Sequence, residues 1–211
     1  MGKLLCVVAH PDDEILGCGA TLSRAAAEGA EVHVLLPIQR SDPRGVSHWS
    51  VLRGQYNRAV EHLGGRAFIA DPLVIENAVE TDTMRLHAIV EPFVEWCDVV
   101  LTHWGGDVHQ THRAVARAVE IATRPFRRKR TVLHYEVPTS TDQGFLNTFS
   151  PNFFVCLEEN HVRRKIEAFS FYDTEAAPGR NAEAILRLSQ LRGAQINTAM
   201  AEAFFLSRTF V

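Results

Sequence analysis

The residues best suited to chemistry stand near the start of the chain, in the stretch His10-Pro11-Asp12-Asp13-Glu14 that follows the apolar run at 4–9. An unbroken apolar run that ends in a polar, proline-bearing turn is typical of a strand buried on both faces. Pro11 disfavours helix at His10. We therefore expect these side chains to lie at the carboxyl end of a strand, on a loop that leads into a helix.

Adjacent carboxylates in a partly buried loop are costly unless a cation or a shared proton separates their roles. A metal ion would do so, because His10 offers a nitrogen and Asp13 an oxygen, atoms that bind zinc at about 2.0–2.2 Å. Asp12 is then free to transfer a proton beside the metal. A plainer interpretation is that Asp12 or Asp13 only caps the helix. We would favour it for a lone carboxylate, but the whole stretch after a buried strand favours a functional site.

A second polar loop begins at 103, after a predicted strand at 98–102, and carries His109 and His112. At the start of a helix, residues three apart lie on one face and can reach one centre. Either histidine could instead be an ordinary surface or capping residue. Because the carboxyl ends of strands in an open parallel sheet line one crevice, the two loops favour a shared site.

The elements that position these loops follow from the apolar pattern. Further strands are predicted at 31–36, 67–69, 131–135 and 153–157, and helices at 20–28, 47–63, 81–96, near 112–123, 162–172 and 181–206. A strand, a helix and a strand within about 36 residues form a βαβ unit. The predicted fold class is α/β, a Rossmann-like three-layer α/β/α arrangement with a mostly parallel sheet. The strand at 153–157 is expected at an edge, either parallel or antiparallel.

The composition indicates one soluble domain over residues 1–211, with 46% hydrophobic and 22% charged residues. A net charge of -3 leaves no electrostatic footprint for nucleic acid. No apolar segment reaches the length of a membrane span, and the first residues lead into a strand without a secretory leader. We expect a cytoplasmic protein that has neither nucleic acid nor a membrane as partner.

Residues 9–14, Ala-His-Pro-Asp-Asp-Glu, resemble the signature of the LmbE-like, or PIG-L, family of zinc-dependent N-deacetylases, which remove acetyl groups from amino sugars and glycosides. Residues 109–115 are similar to the family's second motif, commonly His-x-Asp-His-Arg-Ala-Val, with Thr111 in place of the usual aspartate. Elements at 136–138 and 149–152 also resemble the family, and the loop at 136–151 is expected to wall the pocket.

The resemblance implies three metal ligands, His10, Asp13 and His112, and a fourth coordination position open for water. The implied metal is Zn²⁺, with Fe²⁺ as the alternative in the cell. Asp12 is the implied general base. His109 is implied to stabilise the oxyanion or to protonate the leaving amine, and the choice between Asp12 and His109 as that proton donor stays open.

Three further residues have supporting roles in this interpretation. Arg53 stands where the family uses an arginine to contact substrate, although the residues after it depart from the family pattern. Glu14 is expected to organise the loop or to cap the helix behind the ligands. Because Thr111 replaces the usual aspartate, the carboxylate that would orient the neighbouring histidine is missing. Asp107 is the candidate to replace that carboxylate.

The predicted function is removal of an N-acetyl group from an amino sugar, a glycoside or a related small molecule by a metal-activated water. One alternative is hydrolysis of another small-molecule amide, such as a formamide. Another is a metal- or sugar-binding relative without turnover, against which Asp12 argues because a pure binding site needs no free base. A nucleotide-binding Rossmann protein is set aside, since the first turn lacks Gly-x-Gly-x-x-Gly. The substrate, the pathway and the oligomeric state, including a homo-oligomer, stay open.

Overall fold

A seven-stranded sheet forms the centre of the computed structural model, which describes residues 2–145 and 148–211 apart from the side chain of residue 44. The strands are β1 (Lys3–Val7), β2 (Glu31–Gln39), β3 (Arg66–Ile75), β4 (Val99–His103), β5 (Thr131–Tyr135), β6 (Phe153–Cys156) and β7 (Ala201–Arg208). Their order across the sheet is β3-β2-β1-β4-β5-β7-β6. The first five are parallel, whereas β7 runs antiparallel to both of its neighbours.

Helices cover both faces of the sheet. They are α1 (Asp13–Ala27), α2 (Pro43–Ser47), α3 (Trp49–His62), α4 (Thr83–Trp96), α5 (Gln110–Ala122), α6 (Glu159–Phe169) and α7 (Ala182–Ala194). Alternate residues of β1 enter two separate cores. Leu4 and Cys6 pack with residues of α1, α3, α6 and α7, and Leu5 and Val7 pack with residues of α4 and α5. A strand buried on both faces explains the unbroken apolar run, and the three-layer α/β prediction is confirmed.

The strand order reverses between β1 and β4, which pair side by side in parallel. In an open α/β sheet this reversal leaves a crevice beyond the carboxyl ends of the two strands, where ligands bind. The loop after β1 contains His10, and His103 is the last residue of β4. The fold therefore brings together the two loops that the sequence singles out.

The helix predicted over 181–206 is wrong in its second half. α7 ends at Ala194, and the chain turns through Asn197, at a φ of 59°, into β7. A Cβ on Gly193 would lie 2.7 Å from the backbone of Thr198 and Met200, so glycine permits this close turn. Residues 201–204, Ala-Glu-Ala-Phe, have no strong strand propensity, but pairing with β6 along all four residues, and with β5 at Phe204, holds them extended.

Other element boundaries also differ from the predicted ones. α1 begins at Asp13 rather than near residue 20, so two acidic residues stand in its first turn. β2 continues past Pro37 to Gln39, and its pairing with β3 shifts register between Leu36 and Ile38, since proline has no N–H to donate. β6 lies at the outer edge of the sheet, as predicted, and is antiparallel to β7. None of the helices in the described parts of the chain has the length and apolar composition of a membrane span.

Candidate active site

Hydrogen bonds made by backbone groups fix the conformation of the loop between β1 and α1. The N–H of His10 donates to Asp13 Oδ2 at 2.7 Å, and the carbonyl of Asp12 accepts the N–H groups of Ile15 and Leu16 at 3.0 and 2.9 Å. Asp12 has a φ of 109°, a left-handed backbone that is rare for a residue other than glycine. Such conformations persist where the surroundings enforce them, and they cluster at functional sites.

His10, Asp13 and His112 converge on one point. All three are buried, and one ligand atom of each lies within 4.8 Å of the others. Asp13 Oδ2 is 3.4 Å from His10 Nδ1, and Asp13 Oδ1 is 3.5 Å from His112 Nε2. Ligand atoms bound tetrahedrally at about 2.0–2.1 Å lie about 3.3–3.4 Å apart. The two distances join different oxygens of Asp13 to the two rings, and the donor types are those that bind zinc.

The electrostatics of this group favour positive charge. Burial alone would raise the pKa of Asp13, but His112 and His103 hold it well below its usual value. Burial would lower the pKa of His112, but the carboxylates of Asp13 and Asp107 raise it to about 9. A divalent cation between Asp13 and His112 would supply this charge in place of the imidazole proton.

Asp107 holds His112 from the side opposite Asp13. Its Oδ2 lies 3.1 Å from His112 Nδ1 and accepts the hydroxyl of Thr141 at 2.6 Å. Its Oδ1 accepts hydrogen bonds from the hydroxyl of Ser140 at 2.5 Å and from the backbone N–H of His109 at 2.8 Å. A carboxylate on the outer nitrogen of a ligating histidine fixes the ring and its tautomer. The structure thus places Asp107 where it can orient His112.

Residues of the loop after β5 reach this part of the site. Ser140 and Thr141 contact Asp107, and Thr141 begins a single turn of 3₁₀ helix, Thr141–Gln143. Two residues of the predicted pocket wall at 136–151, at positions 146 and 147, lie outside the described residues.

His103 was missed by the sequence reasoning. It is fully buried, and its Nε2 accepts the N–H of Ala9 at 3.0 Å and lies 3.3 Å from Asp13 Oδ2. Its ring stacks on that of His112 with centroids 4.0 Å apart. Burial, with the nearby His112, lowers the pKa of His103 to about 4, so the ring is neutral at pH 7. Its place at the end of β4, matching that of His10 after β1, was the available signal.

Glu76 was also missed. It follows β3 directly, and its Oε1 lies 2.9 Å from His10 Nε2 and 3.4 Å from the hydroxyl of Thr111. The hydrogen bond from His10 lowers the pKa of Glu76 to about 2, against the effect of burial. The strand predicted at 67–69 ends seven residues before Glu76, whereas β3 continues to Ile75, so the predicted elements did not place Glu76 at the end of a strand.

Asp12 lies beside the cluster, only 1% exposed, but is not part of the His/Asp/His group. Burial, together with the charges of Asp13 and Glu175, raises its pKa to about 7. Arg180, which the sequence reasoning missed, opposes this shift and places Nη1 3.4 Å from Asp12 Oδ2. Its Nε donates to Thr139 at 2.7 Å. A carboxyl group with a pKa near neutrality is suited to general-base catalysis.

Glu14 lies behind the loop and is fully buried. Its carboxyl group accepts hydrogen bonds from the hydroxyl of Tyr172 and from the N–H of Asp12, the latter at 3.2 Å. Burial raises its pKa to about 8, so its protonated form predominates at pH 7. A neutral Glu14 adds little repulsion to Asp12 and Asp13.

His109 stands at the N-terminus of α5, partly buried, next to two of the candidate ligands. Its ring centroid is 4.8 Å from that of His10 and 4.7 Å from that of His112. Burial and the charge of His10 lower its pKa to about 4. Its Nδ1 accepts the N–H of Thr111 at 3.3 Å. The proton of the neutral ring therefore lies on Nε2, which can donate a hydrogen bond.

Arg53 lies apart from this cluster. It is exposed on α3 and lines a cavity of about 470 Å³. The cavity also contains Trp49, Asp71 and Ile75, and Ile75 immediately precedes Glu76 in the chain. The lining of this cavity includes none of His10, Asp13 and His112, so the structure does not bring Arg53 into contact with these residues.

The fold and the cluster define a class of Rossmann-like proteins with a buried His/Asp/His group, able to hold a metal ion, at the switch point of the sheet. Residues 5–123, more than half of the chain, match the model of the family described as PIG-L, GlcNAc-PI de-N-acetylase. The chain belongs to this family of deacetylases, and the resemblance found in the two motifs is confirmed.

Two relatives share the name 1D-myo-inositol 2-acetamido-2-deoxy-alpha-D-glucopyranoside deacetylase. The protein of Rhodococcus opacus is 64% identical over 33 residues, which are 16% of this chain and only 11% of the relative. The protein of Geodermatophilus obscurus is 26% identical over 212 residues, covering 82% of this chain and 68% of the relative.

Two solved structures have the same fold. The zinc-inhibited form of teicoplanin deacetylase superposes with a TM-score of 0.76 at 14% identity, over 97% of each chain. The 4-carboxy-2-hydroxymuconate hydratase of Pseudomonas putida superposes with a TM-score of 0.71 at 18% identity, over 100% of this chain and 98% of that one. Since one neighbour is a deacetylase and the other a hydratase, the fold alone does not define the reaction.

Proposed function

We propose that this protein is a metal-dependent hydrolase that removes the N-acetyl group from an amino sugar, a glycoside or a related small molecule. The observation that carries the proposal is the buried group of His10, Asp13 and His112, with Asp12 beside it and not part of it. The amino-sugar substrate class rests on membership of the family and on the names of the relatives.

His10, Asp13 and His112 would hold the ion, which we propose to be Zn²⁺, with Fe²⁺ as the alternative in the cell. Three protein ligands leave a coordination position open, as in catalytic rather than structural zinc sites. When bound, the ion supplies Lewis acidity that activates water and polarises the amide carbonyl.

Asp12 is the proposed general base. Its carboxylate is buried beside the cluster, where it can take a proton from the attacking water. Arg180 stabilises the ionised form that this step requires. When the C–N bond breaks, Asp12 is the group that already holds a proton, and we propose that it returns this proton to the leaving amine.

His109 is the proposed donor to the developing oxyanion. The ring is neutral and carries its proton on Nε2 because Nδ1 accepts the N–H of Thr111. A donor fixed at the N-terminus of a helix needs no rearrangement as negative charge develops on the carbonyl oxygen.

The cavity beside β3 is the proposed binding site for the rest of the substrate. Its lining includes Trp49, Arg53 and Asp71. An apolar ring with a few polar groups suits a small molecule that carries hydroxyl groups. Arg53 is thus proposed to contact the substrate at a distance from the reacting bond. The predicted cytoplasmic location stays a prediction.

The test is to measure bound metal and acetate release on the same purified protein. We expect about one zinc or iron ion per chain, and release of acetate and free amine from N-acetylglucosaminides, which a chelator abolishes and zinc restores. Bound metal without turnover on acetylated or formylated amines would favour the non-catalytic alternative. Release of formate but not acetate would favour the formamide alternative.

A further inference from the structure

The carboxylate of Glu76 joins three separate segments of the site. Oε1 lies 2.9 Å from His10 Nε2, in the loop after β1, and 3.4 Å from the hydroxyl of Thr111 on α5. Oε2 accepts the N–H of Ser41 at 2.9 Å and its hydroxyl at 3.3 Å. Both oxygens of Glu76 are therefore occupied, and its side chain is 15% exposed.

These contacts determine which nitrogen of His10 is available to a metal. Ionised Glu76 can only accept a hydrogen bond, so His10 Nε2 carries the proton that it donates. In the neutral ring the lone pair then lies on Nδ1, the nitrogen that faces Asp13 Oδ2 at 3.4 Å. Glu76 thus stands in the same relation to His10 as Asp107 does to His112.

We propose that Glu76 is a positioning residue that fixes the ring and tautomer of His10 so that Nδ1 can bind the metal. This inference rests on the proposed metal site and assigns a function to a residue that belongs to neither recognised motif. Glu76 directly follows β3, so the segment after β3 supplies the site together with the segments after β1, β4 and β5.

The geometry distinguishes positioning from direct ligation. Glu76 Oε1 lies on the Nε2 side of His10, whereas Asp13 lies on the Nδ1 side. His10, Glu76 and His109 also offer ligand atoms within 4.8 Å of one another. In that arrangement, however, an ion would have to displace the hydrogen bonds that Glu76 already makes to His10 and Thr111.

The test compares zinc affinity in Glu76→Gln with that in Glu80→Gln, a matched carboxylate-to-amide change four residues along. Glu80 is exposed, and its carbonyl accepts from Thr83. We expect Glu76→Gln to bind zinc about 10–100-fold more weakly than wild type, as typically follows loss of such a partner. We expect Glu80→Gln to stay within about twofold.

Two further measurements separate positioning from other roles. Thermal unfolding of the metal-free variants detects a merely structural effect, and His10→Ala gives the loss expected for a true ligand. If Glu76→Gln does not fold, Glu76→Asp replaces it, because its shorter carboxylate no longer reaches Nε2 and should weaken zinc binding similarly.

The outcomes are distinct. A Glu76 variant that binds zinc as wild type does overturns the inference. A loss as large as that of His10→Ala, with a change in the visible spectrum of bound Co²⁺, shows a ligand and also overturns it. A wild-type protein that binds no zinc or cobalt contradicts the metal site of the proposed function, and this inference with it.

Discussion

Asp12 and Asp13 are neighbours in the chain, and both are buried, but their surroundings affect the two carboxyl groups in opposite ways. Asp13 lies among His10, His103 and His112, which hold its pKa well below the usual range. Asp12 has the carboxylates of Asp13 and Glu175 nearby, and burial together with their charges raises its pKa to about 7 against the effect of Arg180. Titratable groups whose environments separate their pKa values indicate the acid–base assignments of a site.

Exchanging each carboxylate for its amide should separate the two roles. We expect Asp12→Asn to lower kcat by about 10²–10⁴-fold while the purified protein keeps its metal. We expect Asp13→Asn to lose metal affinity because the anionic ligand is gone. Elemental analysis and acetate release measured on the same samples test both statements. Equal metal content in the two variants would contradict this division of labour.

The pH dependence of turnover should report Asp12. Because its pKa is raised, Asp12 is protonated and inactive as a base below about pH 7, and activity should rise as the pH increases through that value. A bound cation favours the ionised form and moves this limb towards lower pH. Arg180 acts in the same direction, so Arg180→Gln should move the limb of kcat/KM upward by about one unit.

Arg187→Gln is the control for this pH shift. Arg187 pairs with Glu183 on the surface, and both side chains are largely exposed. An unchanged limb in Arg180→Gln, or an equal shift in Arg187→Gln, would show that Asp12 is not the titrating base.

At the scale of the elements, α1 is completed by side chains from elsewhere in the chain. The helix is interrupted at Cys18, where φ is −149°. Glu202 of β7 accepts the N–H groups of Ala20 and Thr21 at 3.1 and 2.7 Å. Lys165 of α6 donates to the carbonyl of Leu16 at 3.0 Å and pairs with Glu202 at 2.7 Å. The backbone groups released by the interruption are thus satisfied.

Glu202→Gln should therefore destabilise the protein. Loss of the charge leaves Lys165 buried without its ion pair, and breaking a buried pair costs about 3–5 kcal/mol. Glu183→Gln removes an exposed pair of the same type and should cost less than about 1 kcal/mol. Denaturant unfolding gives both free energies. Similar values for the two variants would show that the buried pair does not support α1.

β1 and β7 differ in how far they could be predicted from the sequence. β1 could be predicted because a strand buried on both faces has an unbroken run of apolar residues. β7 could not, because residues 201–204 have helical propensity and are extended only through pairing with strands more than 40 residues away. Local pattern determines the first kind of element, and tertiary hydrogen bonding determines the second.

The residues of the candidate site also differ in whether the sequence could predict them. His10, Asp13 and His112 lie in short segments whose residue types and spacing suggest chemistry. Glu76 and Arg180 lie outside such segments, and their parts become visible only when distant loops meet. His10 and Glu76 are 66 residues apart in the chain, and Asp12 and Arg180 are 168 apart.

At the scale of the whole molecule, the proposed metal ligands His10, Asp13 and His112 lie where elements of the two cores meet. His10 and Asp13 follow β1, which contributes to both, and His112 belongs to α5, which packs in the core formed with α4. Each core is extensive and apolar, so we expect the protein to stay folded after a chelator removes the metal. The ion would then join elements that are already in place.

Metal binding to such a preformed site should appear as added thermal stability. A ligand that binds only the native state stabilises it by RT ln(1 + [L]/Kd), about 2.7 kcal/mol when its free concentration is 100 times Kd. Zinc should therefore raise the Tm of the chelator-treated wild type and of Asp12→Asn, but not that of His112→Ala. Calorimetry with and without zinc measures the three shifts. An equal shift in His112→Ala would place the stabilising ion elsewhere, whereas unfolding of the wild type by the chelator alone would show that the two cores do not hold the site in the absence of the metal.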